Sequence, residues 1–140
     1  MEIKIKKLND QATLPQAMRP GDAAVDLYSG VDLELAPQQR DSVATGIAVA
    51  IPEGYWASIR DRGGLAAKHG LHTLAGVVDS NYRGEILVVM INLGPEKYQI
   101  KAGDRIAQMI IQKHENVTWQ ETEDLGESNR GEGRFSSSGY

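Results

Sequence analysis

Between Asp79 and Glu85, in the stretch GVVDSNYRGEILVVMIN (Gly76 to Asn92), the chain sets a carboxylate, a phenol, a guanidinium and a second carboxylate against an unbroken apolar run. Two readings compete. Asp79-Ser80-Asn81 is turn chemistry, Gly84 allows an unusual backbone angle, and Ile86 to Ile91 reads as a strand buried on both faces. The alternative is a site in which polar groups are held stiffly by the strand behind them. Four other polar stretches pose the same choice: AAVDLYSG from Ala23, DRGGLAAKHG from Asp61, GDRIAQMI from Gly103 and RGEGRFSSSG from Arg130. Asp26 reads as a strand-end turn former or a site carboxylate, and Arg62 as a solvated cation or an anion ligand. Gly63 and Gly64 leave open amides where a helix begins, which is where an anion prefers to sit. Gln108 lies in the apolar run Ile106 to Ile111, where its amide suits an outward face or a ligand contact equally. In the last stretch Arg130 offers a planar fork for phosphate and Phe135 a flat apolar face.

The elements that must position these groups are strands. Period-two alternation recurs at Ile3 and Ile5, at Val31, Leu33 and Leu35, and at Ile47, Val49 and Ile51. Turn signals separate the runs: Arg19-Pro20-Gly21-Asp22, Ala36-Pro37-Gln38, Pro52-Glu53-Gly54, Leu93-Gly94-Pro95 and Lys101-Ala102-Gly103-Asp104. That spacing predicts an all-β sandwich, barrel or jelly roll. One short helix is expected over Gly64 to His69, stopped by Gly70. After Trp119 the core pattern fails. A single domain over 1–122 is expected, followed by a mobile acidic, then Gly- and Ser-rich tail over 123–140.

Composition narrows the chemistry. A chain of 140 residues can hide roughly two thirds of its unfolded surface. Net charge of −4 and a pI near 5.3 supply no basic field for DNA or RNA. With no cysteine there is no disulfide framework and no thiol nucleophile, and His69, His72 and His114 lack metal-pair spacing. Neither a signal peptide nor a membrane span is expected, and the cytoplasm is the expected compartment.

In this order the five polar stretches resemble the trimeric dUTPase family, from Pro20 to Gly139. The most specific element is GVVDSNYRGEI, followed by GDRIAQMI and the tail pattern of Arg, Gly, Gly, Phe and Ser. The resemblance implies a jelly-roll homotrimer that splits dUTP into dUMP and pyrophosphate, with each site assembled from all three chains. It also implies that water attacks the α-phosphorus, so a base, positioning and charge for the phosphates must be supplied. By resemblance Asp79 activates the water and contacts the 3′-hydroxyl, and Tyr82 packs beneath the sugar where a 2′-hydroxyl would clash. Uracil is read by backbone over Leu71 to Gly76, with Thr73 and Gly76 among the contacts. Arg62, the amides of Gly63 and Gly64, Gln108 and Arg130 fall on the phosphates. Phe135 and Ser136 close over the nucleotide from the tail. Asp26 supports the site by orienting Arg62 or a magnesium-bound water, Mg2+ rides on the triphosphate and waters, and Arg83 and Glu85 are structural partners.

Two departures stand out. The family's usual Pro-Arg-Ser-Gly-Leu is here Asp61-Arg62-Gly63-Gly64-Leu65, and its Gly-Gly-Phe-Gly is Gly133-Arg134-Phe135-Ser136. The first removes a hydroxyl that would steady the bridging oxygen as pyrophosphate leaves, which keeps open a nucleotide-binding regulator without turnover. The dCTP deaminases share the fold, but their glutamate in the strand after the aspartate is here Val89, which leaves no acid/base group for an amine. Restoring the hydroxyl with Gly63→Ser is expected to raise turnover of dUTP by up to about tenfold, the scale of one hydrogen bond made better in the transition state. Steady-state pyrophosphate release measures it, and an unchanged or lower turnover would show that the hydroxyl is not what this loop lacks.

Overall fold

The computed structural model describes residues 1–134. Its strands are β1 (Lys4–Lys7), β2 (Val25–Tyr28), β3 (Leu33–Leu35), β4 (Arg40–Ala50), β5 (Tyr55–Asp61), β6 (Leu71–Leu74), β7 (Val77–Val78), β8 (Glu85–Asn92), β9 (Tyr98–Ile100) and β10 (Arg105–Lys113). The helix α1 (Gly63–His69) follows β5 directly. Two four-stranded sheets, ordered β1-β4-β8-β6 and β2-β10-β5-β7, and a two-stranded pair β3-β9 enclose one core. This is the expected jelly-roll class, though the sheets do not close into a barrel. The core draws Val43, Ile47 and Val88 from the first sheet, Leu27, Ala57 and Ile106 from the second, and Leu35 and Ile100 from the pair.

The turn signals act as their chemistry dictates. Hydrogen bonds from residue four to residue one close Arg19–Asp22, Ala36–Gln39, Pro52–Tyr55 and Lys101–Asp104. Asp22 and Asp104 each also accept, through their carboxylates, the amide three residues earlier. Helix α1 begins at Gly63, one residue before the expected start, and Gly70 ends it in the left-handed region at φ 70°, donating back to Ala66.

Strand β8 corrects one expectation. Ile86, Val88, Met90 and Asn92 are buried, but Leu87 is 45% exposed and Val89 and Ile91 are half-buried. The strand is central in its sheet, between β4 and β6, and that is what shields its backbone. Only one face of the sheet meets this chain's core, so the run Ile86 to Ile91 is apolar on both faces yet covered on one.

At the inner end of β8 lies a fully buried amide. Asn92 Nδ2 donates to the carbonyls of Leu35 at 2.9 Å and Glu96 at 2.7 Å, and its Oδ1 accepts the Gly94 amide at 2.9 Å. Three backbone groups of two segments, β3 and the loop after β8, thus depend on one side chain. Asn92→Leu keeps the volume but leaves them without that partner, and a loss of about 3 kcal/mol is expected in urea unfolding. A loss well under about 1 kcal/mol would mean that water or relaxation replaces the amide.

Candidate functional site

Strand β10 pairs on one side with β2 and on the other with β5, which sets Gln108 opposite both Asp26 and Arg60. Asp26 is therefore no turn former: it lies within β2, its amide bonded to the Gln16 carbonyl at 2.8 Å. Its carboxylate, only 11% exposed, takes Arg62 Nε on Oδ1 at 3.0 Å and an Arg105 guanidinium nitrogen on Oδ2 at 3.1 Å. Two cations against one carboxylate leave a surplus positive charge at this edge. Arg62 also donates to the Arg105 carbonyl at 3.2 Å, which aims its fork along β10. Gln108 Nε2 donates to the Asp61 carbonyl at 2.7 Å, which leaves its second N–H and its amide oxygen for other partners.

Helix α1 begins beside this cluster. Its N-cap is Arg62, in extended backbone, with no side-chain cap, and the Arg62 carbonyl accepts the amides of Leu65 and Ala66. The amides of Gly63 and Gly64 belong to the first turn and precede any helical acceptor. Neither glycine has a heavy neighbour where a Cβ would stand, so a side chain fits at both.

Asp79 stands elsewhere. The hairpin from β6 to β7 carries the chain from one sheet to the other through Ala75 and Gly76, at φ 59° and 103°. Gly76 passes so close to β5 that an added Cβ would lie 2.7 Å from the Ile59 carbonyl oxygen, while its own carbonyl accepts the Ile59 amide at 2.8 Å. Asp79 follows β7 and opens a turn closed by the Tyr82 amide on its carbonyl at 3.1 Å. The turn and site readings of this stretch are therefore compatible. The Tyr82 phenol donates to the Glu85 carbonyl at 2.9 Å, and its ring occupies the space a Cβ on Gly84 would need. Arg83 turns back on its own loop, donating to the carbonyls of Ser80 and Tyr82. Glu85 accepts the Gly46 amide at 2.7 Å, bracing the irregular stretch of β4 where the register with β8 shifts.

Asp79 and Tyr82 share a cleft of about 220 Å³ with Leu74, Ala75, Gly76 and Ile59. On its other side Asp79 borders a broader cleft of about 800 Å³ against Trp56 and His114. Asp26 and Gln108 line a third cleft that has no residue in common with either. Thr73 does not stand free: its amide and hydroxyl both go to Asp61 Oδ1, at 2.6 and 2.7 Å. Arg130 closes a small turn by donating to the Gly133 carbonyl at 2.9 Å. Phe135 and Ser136 lie outside the described residues.

Two contributors escaped the sequence reading. Arg105 sat inside a stretch singled out for Gln108, and Asp61 was noted only as the residue where a proline is usual. Their role depends on cross-strand register, which no local pattern carries. Among the described residues no three metal-ligating side chains converge, and the Asp26 carboxylate is occupied by two guanidiniums. No helix among them is long and apolar enough to cross a membrane.

The sequence pattern of the dUTPase family matches residues 10–139. The chain is 48% identical to the deoxyuridine 5′-triphosphate nucleotidohydrolase of Anaplasma marginale, with 99% of each chain covered. It is 46% identical to the enzyme of that name from Wolinella succinogenes, covering 99% of this chain and 95% of that one. Among solved structures, a point mutant of the Staphylococcus bacteriophage 80alpha dUTPase with dUpNHpp superposes with a TM-score of 0.94 at 27% identity, over 99% of both chains.

Asp61 carries the clearest titration signature. Burial pushes its carboxyl up, but the Thr73 hydroxyl, the His72 ring, the Thr73 amide and the histidine's charge together outweigh that and hold it below its ordinary 3.8. A depressed folded value stabilises above the unfolded one and is lost as pH falls through the folded one. Acidification from about pH 5 to below about pH 4 is therefore expected to lower the urea midpoint more steeply in the wild type than in Asp61→Asn. Parallel curves would remove Asp61 from the acid response.

Proposed function

The chain belongs to the dUTPase family, and on that premise we propose that it hydrolyses dUTP to dUMP and pyrophosphate by attack of water on the α-phosphorus. Asp79 accepts a proton from the water and a hydrogen bond from the sugar's 3′-hydroxyl. Tyr82, its ring wedged over Gly84 and its phenol tied to Glu85, forms a fixed floor under the sugar that leaves no room for a 2′-hydroxyl. Backbone groups between Thr73 and Gly76 read uracil, with the Thr73 side chain already committed to Asp61. Arg62, the amides of Gly63 and Gly64, the second N–H of the Gln108 amide and Arg130 receive the triphosphate. Asp26 orients Arg62 and keeps two guanidiniums side by side. Mg2+ enters on the substrate's phosphates, and the 123–140 tail, with Phe135 and Ser136, closes over the nucleotide.

The observation that carries this reading is the division of labour. The carboxylate and phenol lie in one cleft, the cationic cluster beside another, and the two share no lining residue. A reaction that needs both is served if the nucleoside half of one chain faces the phosphate half of a second. The half-exposed apolar face of Leu87, Val89 and Ile91 supports association of this kind. We infer a homotrimer with sites shared between chains, working in the cytoplasm and independent of nucleic acid and membrane. A deaminase is disfavoured, because Val89 is apolar and the glutamate on this strand, Glu85, is held by the Gly46 amide. Binding without turnover is the second reading, since position 63 has no hydroxyl.

Pyrophosphate release in Mg2+ from dUTP, UTP, dCTP and dTTP tests the activity, and release from dUTP alone is expected. Asp79→Asn should lower kcat by about 10²- to 10⁴-fold while nucleotide binding persists, because the amide keeps the shape but accepts no proton. Asp79→Asn and Arg62→Ala should each be inactive alone and recover activity when their subunits are exchanged, since a mixed pair rebuilds a complete site. No recovery in verified mixed trimers would place both halves of each site in one chain.

A further inference from the structure

Helix α1 is weakly anchored for an element that begins beside the phosphate half-site. None of its side chains is fully buried, although Leu65 packs against the core, and no side chain caps its N-terminal amides. Its far end is secured: the Leu93 amide donates to the Gly70 carbonyl at 2.9 Å, and Gly70 and Gly94 approach too closely for a Cβ at either. At the near end Arg62 is held at its tip by Asp26 and the Arg105 carbonyl, and its backbone takes its position from the residue just before it.

Asp61 is that residue. It ends β5, in the sheet β2-β10-β5-β7, and its carboxylate reaches the other sheet. Oδ1 accepts the Thr73 amide and hydroxyl at 2.6 and 2.7 Å, and Oδ2 meets His72 Nδ1 at 2.7 Å. The Asp61 carbonyl accepts Gln108 at 2.7 Å. One residue is thus bonded to β6 through its side chain and to β10 through its backbone, immediately before Arg62. Thr73 is 8% exposed, so this tie is shielded from water on the threonine side. Where a proline is usual no carboxylate is available, so the tie belongs to this chain's own sequence.

The two partners of the tie are not equally free. β6 is fixed independently, pairing with β8 from Leu71 opposite Asn92 to Leu74 opposite Val89. The segment Arg62 to Gly64 has no ladder partner. Loss of the tie would therefore loosen the backbone of this segment, leaving Arg62 held only through its guanidinium, and leave the strand β6 in place. We propose that Asp61 is a positioning residue that, by bonding Thr73 and Gln108, fixes Arg62 and the first turn of α1 for alignment of the triphosphate. This rests on the dUTP reading given above.

The test compares wild type with Asp61→Ala, Thr73→Val, Thr73→Ser and the Asp61→Ala/Thr73→Val double variant, well below each variant's melting temperature. Asp61→Ala is expected to lower kcat/KM for dUTP by roughly tenfold to a hundredfold, the scale of misplacing a binding group by about an ångström. Inhibition by dUMP, which lacks the outer phosphates, should stay near wild type, a split that general loosening of the fold would not produce. Thr73→Val should fall in the same direction, Thr73→Ser, which keeps the hydroxyl, should lose less than Thr73→Val, and the double variant should be no worse than Asp61→Ala. Additive losses in the double variant would mean that Thr73 acts on the substrate directly, and equal losses toward dUMP and dUTP would mean that the hairpin moves. Either result overturns the proposal, as does a wild-type kcat/KM in Asp61→Ala. If Asp61→Ala fails to fold, the Thr73→Val and Thr73→Ser pair decides by the same split. A wild-type protein that releases no pyrophosphate from dUTP would instead count against the activity itself.

Discussion

Strand β10 is hydrogen-bonded along both edges, to β2 and to β5, and the cluster of Asp26, Arg62, Arg105 and Gln108 hangs from that double ladder. Because side chains alternate at a period of two, a slip of one residue in either ladder would send Gln108 to the opposite face from Asp26. The register is held by buried residues on the same strand, Ile106, Ala107 and Met109, which cannot turn outward without exposing apolar surface. The irregularity between Arg105 and Ala107 in the pairing with β2 falls where Arg105 reaches Asp26. Core packing thus fixes a backbone register, and the register fixes which charges meet. Asp26 then holds in contact two like charges that would otherwise separate, and their surplus charge remains for an anion.

The cleft of Asp79 and Tyr82 depends on a different device, a bend that joins strands of two different sheets. Such a crossing demands backbone angles that most residues resist, and Ala75 and Gly76 supply them at the one point where β5 presses closest. The 220 Å³ cleft is the space this bend leaves against β8. Its lining joins this bend to the Tyr82 ring and to residues of β8, so backbone course and side chains together set its shape. Strand β8 serves both functions at once, giving one face to the core and the backbone under Tyr82 to the cleft.

Much of this was legible in the sequence because it depends on local chemistry. The four tight turns carry their own Pro, Gly and Asp signals, and α1 ends at the glycine that marks its stop. Asp79 and Tyr82 could be located because the turn that presents them is short and contiguous. Burial on β8 was misread because periodicity reports that a face is apolar, and an apolar face can be left for something outside the chain to cover. Asp26 was ambiguous for a related reason: its role lies in Arg62 and Arg105, 36 and 79 residues away. Asp61 shows the same limit. Beside a glycine pair it reads as loop polarity, and only the approach of β5 to β6 reveals where its oxygens go.

The bond between Asp61 and Thr73 also constrains the order in which this protein can change. Thr73 is buried and its hydroxyl is spent on Asp61, whereas the Asp61 side chain remains 29% exposed. Replacing Asp61 first strands a hydroxyl in the interior, at a cost of about 1–3 kcal/mol. Replacing Thr73 first by an apolar residue leaves a carboxylate that water can still reach, and costs far less. The two routes to the same double replacement are therefore unequal. On stability alone, the easier way out of this pair begins at position 73.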